Sequence, residues 1–270
     1  MSDVEQTKAA GDGERSTAAS VQSLVRGLAV IRTFDAEHAH QTLSEVARRA
    51  DLSRATARRV LHTLVDIGYV ATNGKEFSLR PRILELGHAY LNSLGLPEVA
   101  QPHLERLRSA VNESCSVAVL DGTEVVYVAR VASRQIMTVA INVGTRFPAY
   151  VTSMGRVLLA GLPEDELEEI LDRIELEPLT PYTITDRDKL RAELAKVARQ
   201  GYALVDQELA LGLRSLAAPV HDRSGRVTAA VNVSASARRG TQATLRAELL
   251  DPLLEATRHI EHDLRLLHRS

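Results

Sequence analysis

The 270-residue chain has a single cysteine, Cys115, and lacks any unbroken apolar run of the roughly 18 residues that a membrane span needs. One thiol excludes an intrachain disulfide and a thiolate metal cluster within one subunit. Because strand-like residues flank Cys115 and no histidine partner is evident, we interpret it as a small buried hydrophobe and not as a nucleophile. The missing apolar run predicts that no transmembrane helix is present.

The amino-terminal segment also lacks the apolar core of a signal peptide. Residues 1–20, MSDVEQTKAAGDGERSTAAS, are rich in Ser, Thr, Gly, Ala and charge, which predicts a disordered leader. The composition as a whole, 44% apolar and 25% charged, is typical of an ordinary globular protein. Together with the shortage of cysteine, these features indicate a cytoplasmic protein.

Signatures of enzyme chemistry are missing as well. No Gly-rich phosphate fingerprint follows a strand, and there is neither a G-x-S-x-G elbow nor paired His/Cys metal spacing. His259 and His262 share a helical face with Glu255 nearby, but we interpret them as solvated side chains and not as metal ligands. We therefore expect no catalytic residues, no metal and no cofactor.

What the sequence does have begins with an uneven distribution of charge. The net charge is -2, yet between Ser20 and Tyr90 ten cationic side chains stand against seven acidic ones. Five arginines lie between Arg48 and Arg59, where Asp51 is the only acid. This clustering predicts a compact basic face on the amino-terminal part of the chain.

The same region carries a succession of helix and turn signals. Thr42 and Glu45 have capping-box spacing at the start of a second helix, and Ser53 is a good N-cap for a third helix. Residues 69–79 predict a β-hairpin around a type I′ turn at Asn73-Gly74. A first helix is predicted from apolar residues whose spacing buries one face: Val21, Leu24, Val25, Leu28 and Ile31.

This order of elements favours a winged helix-turn-helix whose third helix enters the major groove of DNA. Which arginine reads bases and which contacts phosphate is open. The predicted DNA-binding residues are Ser53, Arg54, Thr56, Arg58, Arg59, His62 and Lys75. Three alternatives stay open: a small helical bundle with solvated arginines, a winged helix that docks a protein, and an enzyme such as a small hydrolase with an appended winged helix.

The remainder of the chain predicts a second domain of mixed structure. Strands are indicated at residues 116–120, 124–130, 136–143, 202–206, 215–221 and 226–234. Helices are indicated at residues 97–112, 153–160, 164–174 and 186–200, and from residue 241 onward. The fold class is therefore α+β, with helices packed on an antiparallel sheet. We expect a leader at 1–20, the winged helix-turn-helix at 21–81, a helical linker at 82–96 and the second domain at 97–270.

One helix start in the second domain could bind a ligand. Ser153 can cap the helix, and the amides near Gly155 would then be available to an anion. The alternative is a capped helix in which Gly155 only permits close packing. The residues alone favour neither.

Several of these segments resemble the IclR-type family of transcriptional regulators, from about residue 21 to the end of the chain. The matching motifs are SLVRGLAVI, LSEVA, TSMGRVLLA, the stretch from DQE at 206–208 to GLRS at 212–215, and LAAPVHDRSGRVTAAVNVSA. The resemblance implies a winged helix, a linker helix and a GAF-like effector domain that assembles as a homodimer or a dimer of dimers. It implies no enzyme activity and leaves repressor or activator undecided.

The resemblance also implies an effector pocket in the second domain. The residues at the family's pocket positions are Met154, Gly155, Asp206, Ser215, Asn232 and Ser234, to which the cap analysis adds Ser153. Some relatives have Cys where Ser215 stands. The chain is most similar to the branch that controls the β-ketoadipate pathway, whose effectors are aromatic acids or ring-opened dicarboxylates such as protocatechuate and β-ketoadipate. Arg130, Arg134 or Arg146 would then supply a counter-charge.

Overall fold

The computed structural model describes residues 21–87, 95–133 and 141–267. Its contacts divide the chain into two compact units, Met1–Ala89 and Tyr90–Ser270. The predicted leader at 1–20 lies outside the described residues, as does much of the predicted linker helix. The described part of that linker begins with a 3₁₀ turn at Pro81–Ile83 and is helical at residues 84–87. The finer domain boundaries stay predictions.

The first unit is built from three helices and a small antiparallel sheet. The helices are α1 (Gln22–Ile31), α2 (Leu43–Arg49) and α3 (Arg54–Asp66). The strands are β1 (Gln41–Thr42), β2 (Val70–Thr72) and β3 (Glu76–Leu79), in the order β1-β3-β2. The core side chains are Val30, Val46, Leu61, Leu64, Val70 and Phe77. Thr42 and Glu45 form the predicted capping box.

The prediction for the buried face of α1 is wrong. Val21, Leu24, Val25 and Leu28 are 45–65% exposed, whereas Val30 is the buried residue of this helix. Apolar spacing identifies residues that share a face, but it cannot say what covers that face. In the described part of the chain, this stripe of α1 is open to solvent.

The turn between β2 and β3 also differs from its prediction. A type I′ turn needs positive φ at both central residues, but Gly74 (φ 90°) is the only residue of this turn with positive φ. The side chain of Asn73 instead accepts hydrogen bonds from the amides of Lys75 and Glu76. That side-chain cap replaces a backbone hydrogen bond of the predicted turn.

The second unit is a six-stranded antiparallel sheet between two layers of helix. Its strands are β4 (Ser114–Asp121), β5 (Glu124–Val131), β6 (Arg146–Pro148), β7 (Ala203–Asp206), β8 (Leu213–His221) and β9 (Val227–Ser236). They lie in the order β6-β5-β4-β9-β8-β7. The helices are α4 (Leu96–Val111), α5 (Ser153–Ala160), α6 (Glu164–Arg173), α7 (Arg187–Gln200) and α8 (Gln242–Leu267).

Side chains alternate between the two faces of this sheet, apart from register shifts in the β4–β5 and β8–β9 pairings. Val117 and Val231 belong to a core shared with α4 and α8. Ala118 and Ala230 belong to a second core, shared with α5, α6 and α7. The two hairpin groups expected from the sequence are joined into one sheet by pairing of β4 with β9.

The predicted strand at residues 136–143 lies mostly outside the described residues, and its described part, 141–143, is not a strand. The edge position of the sheet is taken instead by β6, at residues 146–148. No described helix is both long and apolar enough to cross a bilayer.

Candidate nucleic-acid interface and ligand cavity

Helix α3 starts where the sequence predicts. Ser53 is its N-cap, and the Ser53 hydroxyl accepts a hydrogen bond from the amide of Thr56 (3.2 Å). Ala57, Leu61 and Leu64 are buried, so the opposite side of the helix faces solvent. On that side, Arg54, Arg58 and His62 follow one another at intervals of four residues and form one exposed row.

The cations of α3 are available to a polyanion. Within the described residues, Arg54, Arg58 and Arg59 form no ion pair with an acidic side chain, and all three are exposed. Arg49 differs, because its guanidinium pairs with Asp35 (2.7 Å). One of the five arginines that were predicted to form the basic face is therefore already paired with an acid.

The hairpin after α3 projects one further cation. Lys75 is exposed at the turn between β2 and β3. Phe77 anchors β3 in the core and meets the His62 ring edge-to-face, with centroids 6.3 Å apart. The structure thus brings Lys75 and the α3 residues into one unit in the arrangement of a helix and its wing. Whether they bind DNA stays a prediction.

A narrow cavity opens between the sheet of the second unit and the start of α5. Three predicted effector residues line it together: Ser215, Asn232 and Ser234. They share one sheet face because Ser215 pairs with Ser234 and Asn232 lies two residues before Ser234. The cavity volume is about 10 Å³, close to what one water molecule needs. An aromatic ring requires the walls to separate.

The start of α5 does not have the predicted cap. Thr152 is the N-cap, and its hydroxyl accepts from the amide of Gly155 (3.0 Å). Ser153 is fully buried, and its hydroxyl has no partner in the described chain. A side chain at position 155 would meet the Ala149 carbonyl oxygen, since a Cβ there would lie 2.1 Å from it. Gly155 therefore serves close packing, and its amide is not free for an anion.

Asp206 lies apart from the other predicted effector residues. It pairs in register with Arg214, which precedes Ser215, so its side chain points to the opposite sheet face. There its carboxylate accepts hydrogen bonds from Arg214 (2.6 Å) and from Gln242 (2.9 Å). The expectation that Asp206 lies with the cavity residues is therefore wrong, because neighbouring positions along a strand point to opposite faces of the sheet. Met154 is fully buried in the core beside the cavity.

The three arginines proposed as counter-charges have different positions. Arg146 is held at the sheet edge by Asp121 and Glu124, at 2.7 and 2.8 Å, which makes it a poor partner for a ligand. Arg130 is half-buried on β5 and donates to the Ser116 hydroxyl (3.3 Å). Burial lowers the pKa of Arg130. Arg134 lies outside the described residues.

One wall of the cavity is held by a buried ion pair that the sequence analysis missed. Arg156 is 2% exposed and donates to Glu208 (2.6 Å) and to the Tyr150 carbonyl (2.9 Å). The same Glu208 oxygen accepts from the amide of Ile184 (3.0 Å). Leu209, the next residue, lines the cavity. The pair thereby joins α5 to the loop between β7 and β8.

Two polar cavity residues were also missed. Thr152 and Tyr127 line the cavity with the three predicted side chains. Thr152 has a recognisable signal, because it is as good a capping residue as Ser153 and precedes it directly. Tyr127 has no such signal, since its position depends on how β5 pairs within the sheet.

A larger cleft lies elsewhere in the second unit. Its volume is about 630 Å³, and it lies between α5, α7 and α8 beside the end of β8. Two of its polar groups already bind each other, because Glu261 accepts from both the ring and the amide of His221 at 2.7 and 2.8 Å. The narrow cavity is the better ligand site, since the buried amide oxygen of Asn232 in its wall has no partner in the described chain.

The cysteine and one of the two histidines considered in the sequence analysis contact other side chains of the second unit. Cys115 is fully buried, as predicted, and burial raises its pKa to about 12. His259 stacks on His103, with ring centroids 5.7 Å apart. Among the described residues, no group of three His, Cys, Asp or Glu side chains is arranged to hold a metal ion.

Comparison with protein families matches both units. The IclR helix-turn-helix domain matches residues 23–74. The domain described as the C-terminal part of the bacterial transcriptional regulator IclR matches residues 88–262. The two matches together span most of the chain.

Individual relatives agree with the family matches. The Pca regulon regulatory protein of Pseudomonas putida is 44% identical over 243 residues, which cover 90% of this chain and 84% of that protein. The p-hydroxybenzoate hydroxylase transcriptional activator of Acinetobacter baylyi is 35% identical over 252 residues, 92% of each chain. A crystal structure of an IclR homologue from Microbacterium hydrocarbonoxydans, complexed with 4-hydroxybenzoate, has a TM-score of 0.80 at 31% identity and covers 90% of this chain and 99% of that one.

Proposed function

The chain belongs to the IclR family of bacterial transcriptional regulators, and from this we propose that it controls genes of aromatic-acid catabolism. Helix α3 and the hairpin after it bind duplex DNA in the cytoplasm, and a small aromatic carboxylate in the narrow cavity adjusts that binding. The observation that carries the DNA-binding half is the set of exposed α3 arginines, Arg54, Arg58 and Arg59, which have no acidic partner within the described residues. Such cations release counterions from DNA when they contact phosphates.

The effector class is inferred from relatives. One relative is named for the Pca regulon, one for the activation of p-hydroxybenzoate hydroxylase, and one was crystallised with 4-hydroxybenzoate. The cavity of this chain has the mixed wall that a hydroxylated aromatic acid requires, with apolar side chains beside hydroxyl groups and an amide. A ligand that favours one conformation of the second unit needs a coupling free energy of only about 1–3 kcal/mol to change DNA affinity.

We further infer that the protein binds DNA as a homodimer or a dimer of dimers. The exposed apolar stripe of α1 supports this inference, because four neighbouring aliphatic residues in water favour burial against a second copy. Changing Leu24 and Leu28 to Asp is then expected to dissociate the oligomer, measured as mass by light scattering. An unchanged mass would place the interface elsewhere.

Duplex binding tests the DNA-binding half. In a titration followed by fluorescence anisotropy, Arg54→Ala with Arg58→Ala is expected to weaken binding and to make the log–log salt slope shallower by about 1.8, or 0.9 per lost phosphate contact. The matched control is Arg26→Ala with Arg32→Ala, which removes the same charge from exposed positions in and directly after α1. Equal loss in both variants would mean that net charge, and not α3, determines binding.

Thermal shift tests the effector half. Protocatechuate, 4-hydroxybenzoate, β-ketoadipate and glyoxylate are compared at equal concentration with the full chain. A ligand present at 100 times its dissociation constant stabilises the protein by roughly 2.7 kcal/mol. If none of the four changes the melting temperature, the proposed effector class is wrong, while the DNA-binding half is unaffected.

A further inference from the structure

Asn232 carries an unexplained polar atom in the wall of the narrow cavity. It lies on β9 between β4 and β8, and its side chain is 2% exposed. Its amide nitrogen donates to the Ser234 hydroxyl (3.0 Å), but its amide oxygen has no partner in the described chain. Buried polar groups in native proteins are nearly always hydrogen-bonded, so an orphan at a cavity wall indicates a partner from outside.

The wall around Asn232 is uncharged. All described residues that line the cavity are apolar or carry hydroxyl groups, apart from the Asn232 amide itself. Burial raises the pKa of Tyr127 to about 12, so its phenol stays protonated and neutral. A carboxylate placed against Asn232 would lose its hydration and gain no opposite charge in return, which is strongly unfavourable.

A phenolic hydroxyl suits the same place. It donates to the amide oxygen and accepts from a neighbouring hydroxyl, and it would also accept from the amide nitrogen if the amide were turned over. A carboxylate only accepts. The orientation of Asn232 in the structure therefore favours a neutral hydroxyl group over a carboxylate at this wall, and a turned-over amide can still bind that hydroxyl.

We propose that Asn232 recognises a hydroxyl substituent of the effector, so that an aromatic acid enters the cavity with its hydroxylated edge toward β9 and its carboxylate pointing away. This inference rests on the proposed function, because it takes the narrow cavity as the effector site. It replaces the expectation that the carboxylate binds the amides at the start of α5.

The sheet places a cation on the side to which the carboxylate would point. Arg130 and Ser116 are register partners, and Ser116 pairs in turn with Asn232 on the same sheet face. Two strand spacings, roughly 10 Å, therefore separate Arg130 from Asn232. An aromatic acid that bridges this interval has its hydroxyl group at the neutral wall beside Asn232 and its carboxylate near the guanidinium of Arg130.

Ligand pairs that differ by one hydroxyl test the proposal on the unaltered protein. Isothermal titration calorimetry with the full chain compares 4-hydroxybenzoate with benzoate. Loss of a hydrogen bond at a buried polar group predicts about 10- to 100-fold weaker binding of benzoate. Equal affinities would overturn the role of Asn232 and leave the effector class intact.

Asn232→Leu supplies the second arm, because leucine has a similar volume and no polar atoms. The variant is expected to bind 4-hydroxybenzoate and benzoate within about threefold of each other, whereas damage to the fold alone would weaken both ligands by the same factor. Asn142→Leu, the same change at an exposed position, should keep the wild-type preference.

Protection of the buried Cys115 from a thiol reagent, equal to that in the wild type, shows that the second unit of the Asn232→Leu variant is folded. If that variant fails to fold, Asn232→Ser, which shortens the polar side chain, takes its place with the same expected loss of preference. A variant that retains full discrimination contradicts the proposal. If the wild type binds neither aromatic acid, this inference fails, and the thermal-shift comparison of the four ligands decides whether the effector class fails with it.

Discussion

The two units use their arginines in opposite ways. On α3 of the first unit, Arg54, Arg58 and Arg59 are exposed and have no acidic partner among the described residues. In the second unit, Arg156 and Arg214 are largely buried and bound to Glu208 and Asp206. Free cations suit a polyanionic partner, whereas paired cations fix loops and helices around a cavity.

This difference explains why counting charges predicts one site and not the other. An unpaired arginine on a helix surface remains available to a partner, so a cluster in the sequence is informative about DNA. Several arginines of the second unit, such as Arg146, are instead occupied by acids distant in sequence. Among the described residues, the polar groups in the wall of the narrow cavity are neutral hydroxyls and an amide.

Removing one member of the buried pair should have the largest effect. Arg156→Met leaves the Glu208 carboxylate buried without an opposite charge and with the Ile184 amide as its remaining donor, which costs about 3–5 kcal/mol of unfolding free energy. Labelling of Cys115 reports the stability of the second unit alone. It is the only cysteine of the chain, and its burial protects it from thiol reagents until that unit unfolds. Urea-dependent labelling of Cys115 should therefore shift to lower urea.

Two variants sharpen that result. Arg191→Met removes a half-exposed partner of Glu168 and is expected to shift the labelling midpoint far less than Arg156→Met, because solvent screens an exposed ion pair. Arg58→Met should leave Cys115 labelling unchanged while weakening duplex binding. If Arg156→Met were as mild as Arg191→Met, the distinction between structural and free arginines would not hold.

Gly155→Ala ranks second. The added methyl group would meet backbone atoms of Ala149, which cannot move aside as a flexible side chain could. Overpacking of this kind costs typically about 1–3 kcal/mol, so Cys115 labelling should again shift to lower urea. Stability equal to the wild type, combined with weaker effector binding, would favour the anion-binding alternative that the sequence left open.

Ser53→Ala tests the first unit and should have a smaller effect. Loss of the hydrogen bond to the Thr56 amide removes an N-cap, worth about 1 kcal/mol. Hydrogen exchange of α3 should become faster, while Cys115 labelling stays as in the wild type. Faster exchange throughout the second unit would show that the two units do not respond separately.

Much of the fold could be predicted because its signals are local. The caps at Thr42 and Ser53 and the bounds of α5 depend on residues a few positions apart, and the structure agrees with them. The N-cap of α5 is displaced by one residue, since two adjacent side chains, Thr152 and Ser153, could each serve.

The cavity could be predicted only in part, because its geometry is nonlocal. Ser215, Asn232 and Ser234 meet because β8 and β9 pair in one particular register. The pair Arg156–Glu208 joins residues 52 positions apart, and no spacing pattern indicates it. Asp206 was grouped with the cavity from its place in a family motif, whereas strand alternation turns its side chain to the other face.

Asp206→Asn should have the smallest effect and depends on pH. Burial acts to raise the pKa of Asp206, but hydrogen bonds from Arg214 and Gln242 together lower it below its ordinary value of 3.8. The lowered pKa contributes stability that is complete above that value and is lost as the pH falls through the folded-state pKa. Wild type and variant should therefore differ at pH 7, by about 1 kcal/mol or less, and converge once the pH falls below the folded-state pKa of Asp206. A difference that persists in that acidic range would mean that Asp206 acts through shape and neutral hydrogen bonds, and that its pair with Arg214 is not an electrostatic counterpart to the exposed arginines of α3.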